Sequence, residues 1–507
     1  MDIKKNIYVL LSLLILLPSL NSLIPAKPAY AFSPANMLTY LQAQSISPAT
    51  GPTAAVDNYE RIQYSLDQYG VARLEDGEFP LSQGLVLGDE DLLTSNHASF
   101  PVLKLVNPAE YLIKLAGDKA VVSFLTLNYN HQYITGTYPC KSVVQVWGSG
   151  NHLNNNHILG GDQPQTANPL SERAFKTVTG IYVMEASARG NVFDNNKVSN
   201  STYGVIFVAG IANTGDASVI QNSEILYNKC DGVTLAGYGE VVGNSIHHNG
   251  FDCMNGFLGS PAVPIPGAGI YSIANANGAL IQDNTIFDNN GNGIDIFQAQ
   301  HFVIDGNYSY NPGNRSFPDA SSEYHSASYG SGFAIAIADT AYSTVIDNVA
   351  ENNRSTNQVG SAYYSDAITN RFFAAGGAAA YSDLPSGANQ VIAFVLAETN
   401  GTADHTVGNV IRNNDFRAGP SGGGAVGLGY FVSRGTGFGQ VGSTSDTYWG
   451  GDSANIFTLN DPFGSHIGSK RCGGNWYAAD LAEPNADDSQ HYAPVGDWAG
   501  NDFANHY

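Results

Sequence analysis

The chain has 507 residues, only 13% of them charged, and its 44 acidic against 22 basic side chains leave a formal net charge of −22. That balance excludes nucleic acid as a partner, since an acidic surface repels a polyanion and no basic patch with interleaved aromatics offsets it. Glycine at 56 positions and the low charged fraction fit a chain built from turns and short strands, with an acidic surface that keeps it dispersed.

Lys4 and Lys5 precede an apolar run from Ile7 to Leu23, and Pro28-Ala29-Tyr30-Ala31 follows. This is the order of a secretory signal peptide, with cleavage expected after Ala31. Pro18, Ser19, Asn21 and Ser22 interrupt the run and weaken it as a membrane anchor. The expected product is secreted or periplasmic, with no stable membrane association once the segment is removed. Residues 32–56 read as a lead-in. A helix is predicted from Asp57, its N-cap, because Tyr59, Ile62 and Leu66 recur at helical spacing; Gly70 ends it. Strands are predicted near Val71–Leu74, Gly84–Leu87, Val102–Leu105, Tyr111–Leu115 and Ala120–Leu125.

From Val143 to about Gly429 an asparagine-punctuated repeat takes over. Val241-Val242-Gly243-Asn244-Ser245-Ile246-His247-His248-Asn249 is matched at Ile281 to Asn289 and at Val345 to Asn353. Most copies lead through a variable loop to a strand opened by glycine, at Gly180, Gly204, Gly232, Gly269 and Gly293. A constant core with insertions of uneven length is the pattern of a solenoid whose coils stack at about 4.8 Å. Parallel strands in successive coils take right-handed crossovers, so the predicted fold is all-β: one right-handed parallel β-helix over 57–442, with an N-terminal capping helix and an irregular C-terminal cap over 443–507. The asparagines suit the bends, where a short amide tolerates the left-handed region and can bond to the amide stacked above it. They are read as scaffold.

Asp57 to Asn130, with its helix, Val71-Ala72-Arg73-Leu74 and Val121-Val122-Ser123-Phe124-Leu125-Thr126-Leu127, resembles the start of the pectate-lyase-like superfamily, and the segments from Val143 onward resemble coils of its members. The resemblance implies a β-helix active on polysaccharide or oligosaccharide. It supplies no catalytic residue, since the polygalacturonase motif set, the D-P-H-D of alginate epimerases and the W-x-D-H of pectate lyases are absent.

The candidate site therefore comes from strand alternation. In Gly293-Ile294-Asp295-Ile296-Phe297 both isoleucines are predicted to point inward, and Asp295 and Phe297 outward. Thr234 and Tyr271 are their outward counterparts on preceding coils. Aromatic faces beside carboxylates suit a sugar, so Asp295, Asp231 and Asp252 are the catalytic candidates, with Thr234, Tyr271 and Phe297 as substrate contacts. The later insertions add Arg315, His325 and Arg371 as contacts. In an elimination reaction Arg315 or Arg371 is the candidate base.

Cys230 and Cys253 are the preferred disulfide among four cysteines, none of which forms a C-x-x-C pair. Asp288-Asn289-Asn290-Gly291-Asn292-Gly293 imitates half of a calcium loop, but position twelve is Ala299, so no cofactor is assigned and calcium is the one metal considered. His247 and His248, adjacent on a strand, are expected on opposite faces. Three functions remain open on these residues: a glycoside hydrolase or transglycosidase on a neutral glycan, a lyase on a uronate glycan, and a glycan-binding β-helix without activity.

Overall fold

The computed structural model describes residues 44–95, 100–130, 141–161, 178–184, 188–208, 217–250, 253–254, 264–265, 267–272, 277–289, 291–297, 299–311, 334–338, 340–352, 391–397, 409–412, 414–418, 425–431 and 456–458. The expected signal peptide and nearly all of 443–507 lie outside these residues.

Among the described residues, three parallel sheets, here called A, B and C in the order each coil visits them, contain 13, 11 and 11 strands. One coil shows the plan: Val192–Asp194 in sheet A, Lys197–Ser199 in sheet B and Tyr203–Phe207 in sheet C. Each strand pairs in parallel with its counterpart one coil on. Inward residues stack as ladders of like side chains. Ile225, Ile246 and Ile286 are successive register partners in sheet B and have no exposed surface. Burying each such side chain stabilises the stack by roughly 1.5–3 kcal/mol.

The corners explain the repeat. Between sheets A and B, the Asn244 amide donates to Asn284 Oδ1 at 3.0 Å and to the Ile220 carbonyl at 3.0 Å, and the backbone N–H of Asn244 donates to the same Asn284 oxygen at 2.9 Å. Asn284, Asn307, Asn348 and Asn414 continue this ladder. A second ladder at the B-to-C corner runs Asn228, Asn249, Asn289. A buried backbone donor left unpaired is costly, and here a single side-chain type satisfies one per coil. Serine substitutes in places: Ser223 Oγ accepts from the Asn196 backbone N–H at 3.0 Å.

The strand-opening glycines are a close approach. A Cβ on Gly232 would lie 2.7 Å from the Gly269 carbonyl oxygen and 2.7 Å from the side chain of Ile246; on Gly204 it would meet the Gly232 oxygen at 2.3 Å. These glycines face inward just before an inward Val or Ile, so two consecutive positions crowd the core and only the first is free of side chain.

The N-terminal helix, α1, spans Ala54–Tyr69 and starts earlier than predicted. Thr53 is its N-cap residue; Asp57 sits in the first turn and accepts the Thr53 hydroxyl at 2.7 Å. Ala54 and Ala55 are strong helix formers, which accounts for the earlier start. Ile62 and Leu66 are buried as predicted, and Gly70 closes the helix at φ 65°. Within the lead-in, Ser45–Ile46 pairs in parallel with Arg73 and Leu74. At the other end, Ile456–Thr458 pairs with Val410–Arg412 in sheet A, so coil pairing extends past 442 into the segment read as a cap. Strands Glu78–Leu81 and Leu92–Ser95 were not predicted individually. Among the described residues no helix is long and apolar enough to cross a membrane.

Candidate functional site

Sheet C carries the candidate site on its outer face. Thr234 pairs with Tyr271, and Tyr271 with Asp295, so the three side chains form one row across successive coils. Ile294 and Ile296 both lie in the core, which turns Asp295 outward as alternation predicts. Phe297 pairs with Ala338 two residues further along and so stands in the neighbouring row; its side chain is outside the described residues.

Asp231 lies just before its strand, at the B-to-C corner. Its carboxylate accepts the Thr234 hydroxyl at 3.1 Å and the Ala268 backbone N–H at 2.8 Å, which aims it into the same row. Asp231 and Asp295 flank Tyr271 across two strand spacings, roughly 10 Å. The row is not the open surface that alternation alone suggests. Asp231 and Asp295 are each 5% exposed and Thr234 is 2% exposed, while Tyr271 stays partly accessible. Two carboxyls on the outside of a sheet are therefore shielded from water, where electrostatic interactions are stronger.

Beside this row is a second apolar cluster, separate from the main core: Tyr182, Tyr203, Ile206 and Cys230, with Met184 and Val208 packed against it. Ile206 is the register partner of Thr234, and Tyr182 of Ile206, so the cluster continues the row. Burial pushes the Tyr203 phenol upward, and the Asp231 carboxylate and Tyr271 push it further, so it stays a protonated donor. Neither tyrosine was singled out from sequence. Tyr182 was within reach, since Gly180-Ile181-Tyr182 repeats Gly269-Ile270-Tyr271.

Asp252, Arg315, His325 and Arg371 lie outside the described residues. Cys230 is disulfide-bonded. Cys253 lies on a short antiparallel ribbon, Cys253–Met254 with Pro264–Ile265, and its side chain is outside the described residues, as is the expected pairing.

The histidine pair departs from expectation. His248 has φ 56°, which turns its ring to the side of His247, and the two Nδ1 atoms lie 2.8 Å apart. In the calcium-like segment Asn289 serves the corner ladder, and Asp288 faces His248 at 3.9 Å. Among the described residues no group of three or more His, Cys, Asp or Glu is placed to hold a metal ion.

Similar solved structures include the Dettilon tailspike protein (13% identity over 76% of this chain and 68% of that one, TM-score 0.42). The A-module of mannuronan C-5 epimerase AlgE6 from Azotobacter vinelandii is 14% identical over 73% of this chain and 93% of that one, with a TM-score of 0.43. A mutant DFA-IIIase from Arthrobacter chlorophenolicus A6 in complex with DFA-III is 10% identical over 90% of this chain and 98% of that one, also at 0.43. At such identities these likenesses carry no inference about chemistry. No curated protein matches the chain. Residues 179–373 match the family model for the right-handed beta helix region, and the chain is a right-handed parallel β-helix.

Proposed function

We propose that this chain acts on a polysaccharide or oligosaccharide, as a glycoside hydrolase or transglycosidase of a neutral glycan, with Asp231 and Asp295 as its paired carboxyls. The observation that carries this reading is the row itself: two shielded carboxyls flank a partly accessible tyrosine on the outer face of one sheet. Tyr271 offers a ring on which a sugar face can stack. Asp231 already accepts two hydrogen bonds, which suits an ionised carboxylate that activates water or stabilises a positive sugar ring. Asp295 is then the acid that protonates the leaving oxygen. The strands of the two carboxyls lie two spacings apart, roughly 10 Å, wider than the about 5–5.5 Å between the carboxyls of a retaining pair. Export, with removal of residues 1–31, belongs to the same reading, since polymeric glycans are met outside the cell.

The test is a screen of neutral and uronate glycans that follows reducing ends and the absorbance of unsaturated products separately. Reducing ends released from a neutral glycan without unsaturation support the proposal. Unsaturated products from a uronate glycan would replace it with elimination. Silence on every glycan, with binding retained, would replace it with a binding role.

A further inference from the structure

A second surface has the composition of a glycan site and lies on a different wall of the coil. In the six sheet B strands from His157–Leu159 to Tyr308–Asn311 the second residue is buried, so the first and third residues alternate to the outer side. The first-position row runs His157, Lys197, Glu224, Ser245, Thr285, Tyr308 in unbroken register, about 24 Å at the strand spacing. The third-position row places His247, Phe287, Tyr310 and Glu351 beside it.

Both ends of this face are aromatic. At one end Phe100 stacks on His157 with ring centroids 4.7 Å apart and planes 8° from parallel. At the other, Tyr308 and Tyr310 hold their rings 6.0 Å apart and 5° from parallel; Tyr308 is 38% exposed and its hydroxyl lies 3.2 Å from Glu351 Oε2. His247 stacks on Phe287 at 4.6 Å, which extends the aromatic run by two coils. From the Phe100–His157 end as far as Ser245 runs a shallow groove of about 440 Å³, lined by Phe100, His157, Lys197, Glu224 and corner amides such as Asn195 and Asn222. Its charges are internally matched. Lys197 Nζ is 2.8 Å from one Glu224 oxygen, and His247 Nε2 is 3.3 Å from the other. With the lysine neutralised in place, the groove has no surplus positive charge for a polyanion, while its amides and hydroxyls suit a neutral polyol.

We infer that the outer face of sheet B binds a neutral glycan chain lying along the coil axis, at a site separate from the Asp231–Asp295 row. The inference rests on the proposed action on glycans. The surface anchors a polymer by aromatic ring contacts at the Tyr308–Tyr310 end and by hydrogen bonds in the groove, and takes no part in bond cleavage.

The test is affinity electrophoresis of the full chain carrying Asp295→Asn, in gels containing inulin, dextran, xylan or β-glucan. Retardation is expected in at least one gel. The double variant Tyr308→Ala with Tyr310→Ala is expected to weaken that binding about tenfold, as loss of ring contacts implies. Tyr308→Phe and Tyr310→Phe keep the rings and should bind nearly as the parent does. Tyr308→Ala alone, at an exposed position, should weaken binding by roughly threefold and guards against misfolding of the double variant. Retardation of the Tyr308 and Tyr310 alanine variants equal to that of the parent, or its absence from every gel, would each overturn the inference. The hydrolysis reading is judged apart from this by reducing ends released by the unmodified chain.

Discussion

The Thr234 hydroxyl donates to Asp231 Oδ2 at 3.1 Å, and through that bond a residue in the outward row of sheet C fixes a carboxylate that belongs to the corner before it. The contact is buried on both sides, with Thr234 at 2% and Asp231 at 5% exposure. Thr234→Val keeps the shape and removes the donor. Turnover on a neutral glycan is expected to fall about tenfold, with little change in KM, because one hydrogen bond that orients a reacting group is lost. Steady-state kinetics checks this; an unchanged kcat contradicts it.

The corner ladder predicts a large penalty at one exchange. The Asn284 side chain accepts from both the backbone and the amide of Asn244, and donates to the Val241 carbonyl at 2.8 Å and to Asn307 at 2.9 Å. Asn284→Ala strands all of these partners in a buried corner and is expected to cost roughly 3 kcal/mol. Asn284→Ser should cost about half as much, since Ser223 holds the equivalent place and accepts the Asn196 backbone N–H. Urea denaturation of the two variants measures the order.

Gly232→Ala tests the crowding at the strand openings. The new methyl carbon would sit 2.7 Å from both the Gly269 oxygen and the side chain of Ile246. Neither neighbour is the loose end of a flexible chain, so the coils must part, at a cost of roughly 1–3 kcal/mol or more. A lowered denaturation midpoint is the expected result, and the neighbouring Gly204→Ala should behave alike.

Acidification through the ordinary histidine range should destabilise the protein through its buried histidines. Burial lowers His152, His157 and His247 from the ordinary histidine value of 6.5; Lys197 adds to this at His157 and His248 at His247, while Asp194 and Glu224 oppose it. The unfolded chain thus takes up protons near that value that the folded chain refuses. Stability is therefore full above it and falls as pH drops through it. Asp91 and Asp305 act with the opposite sign: burial raises both, so their contribution grows as pH falls through the raised folded values toward the ordinary 3.8. Urea midpoints at about pH 7.5 and about pH 6 should show the lower value at pH 6. His247→Gln should shrink the difference.

The repeat made the coil legible, because its period is a physical one: an amide at each corner, glycine where two inward positions crowd, and β-branched residues between them. The same alternation placed Thr234, Tyr271 and Asp295 in one outward row. What sequence did not show was the third dimension of that face. Tyr203 belongs to the site only because Asp231 and Tyr271 lie near its phenol, and that depends on coil register. The closeness of His247 and His248 likewise depends on a left-handed residue at a strand end, which breaks the alternation used to separate them. Ser45–Ile46 and Ile456–Thr458 are two and three residues long, too short for any periodic signal, and only pairing with neighbouring coils makes them strands.

The most direct measurement is the initial rate of reducing-end release from the best neutral glycan by Asp295→Asn, beside the unmodified chain and at matched folding by melting temperature. If Asp295 protonates the leaving oxygen, the rate falls by about 10²–10⁴ while the melting temperature holds or rises. A rate within a factor of two of the unmodified chain would contradict the assignment and remove the sheet C row from the chemistry.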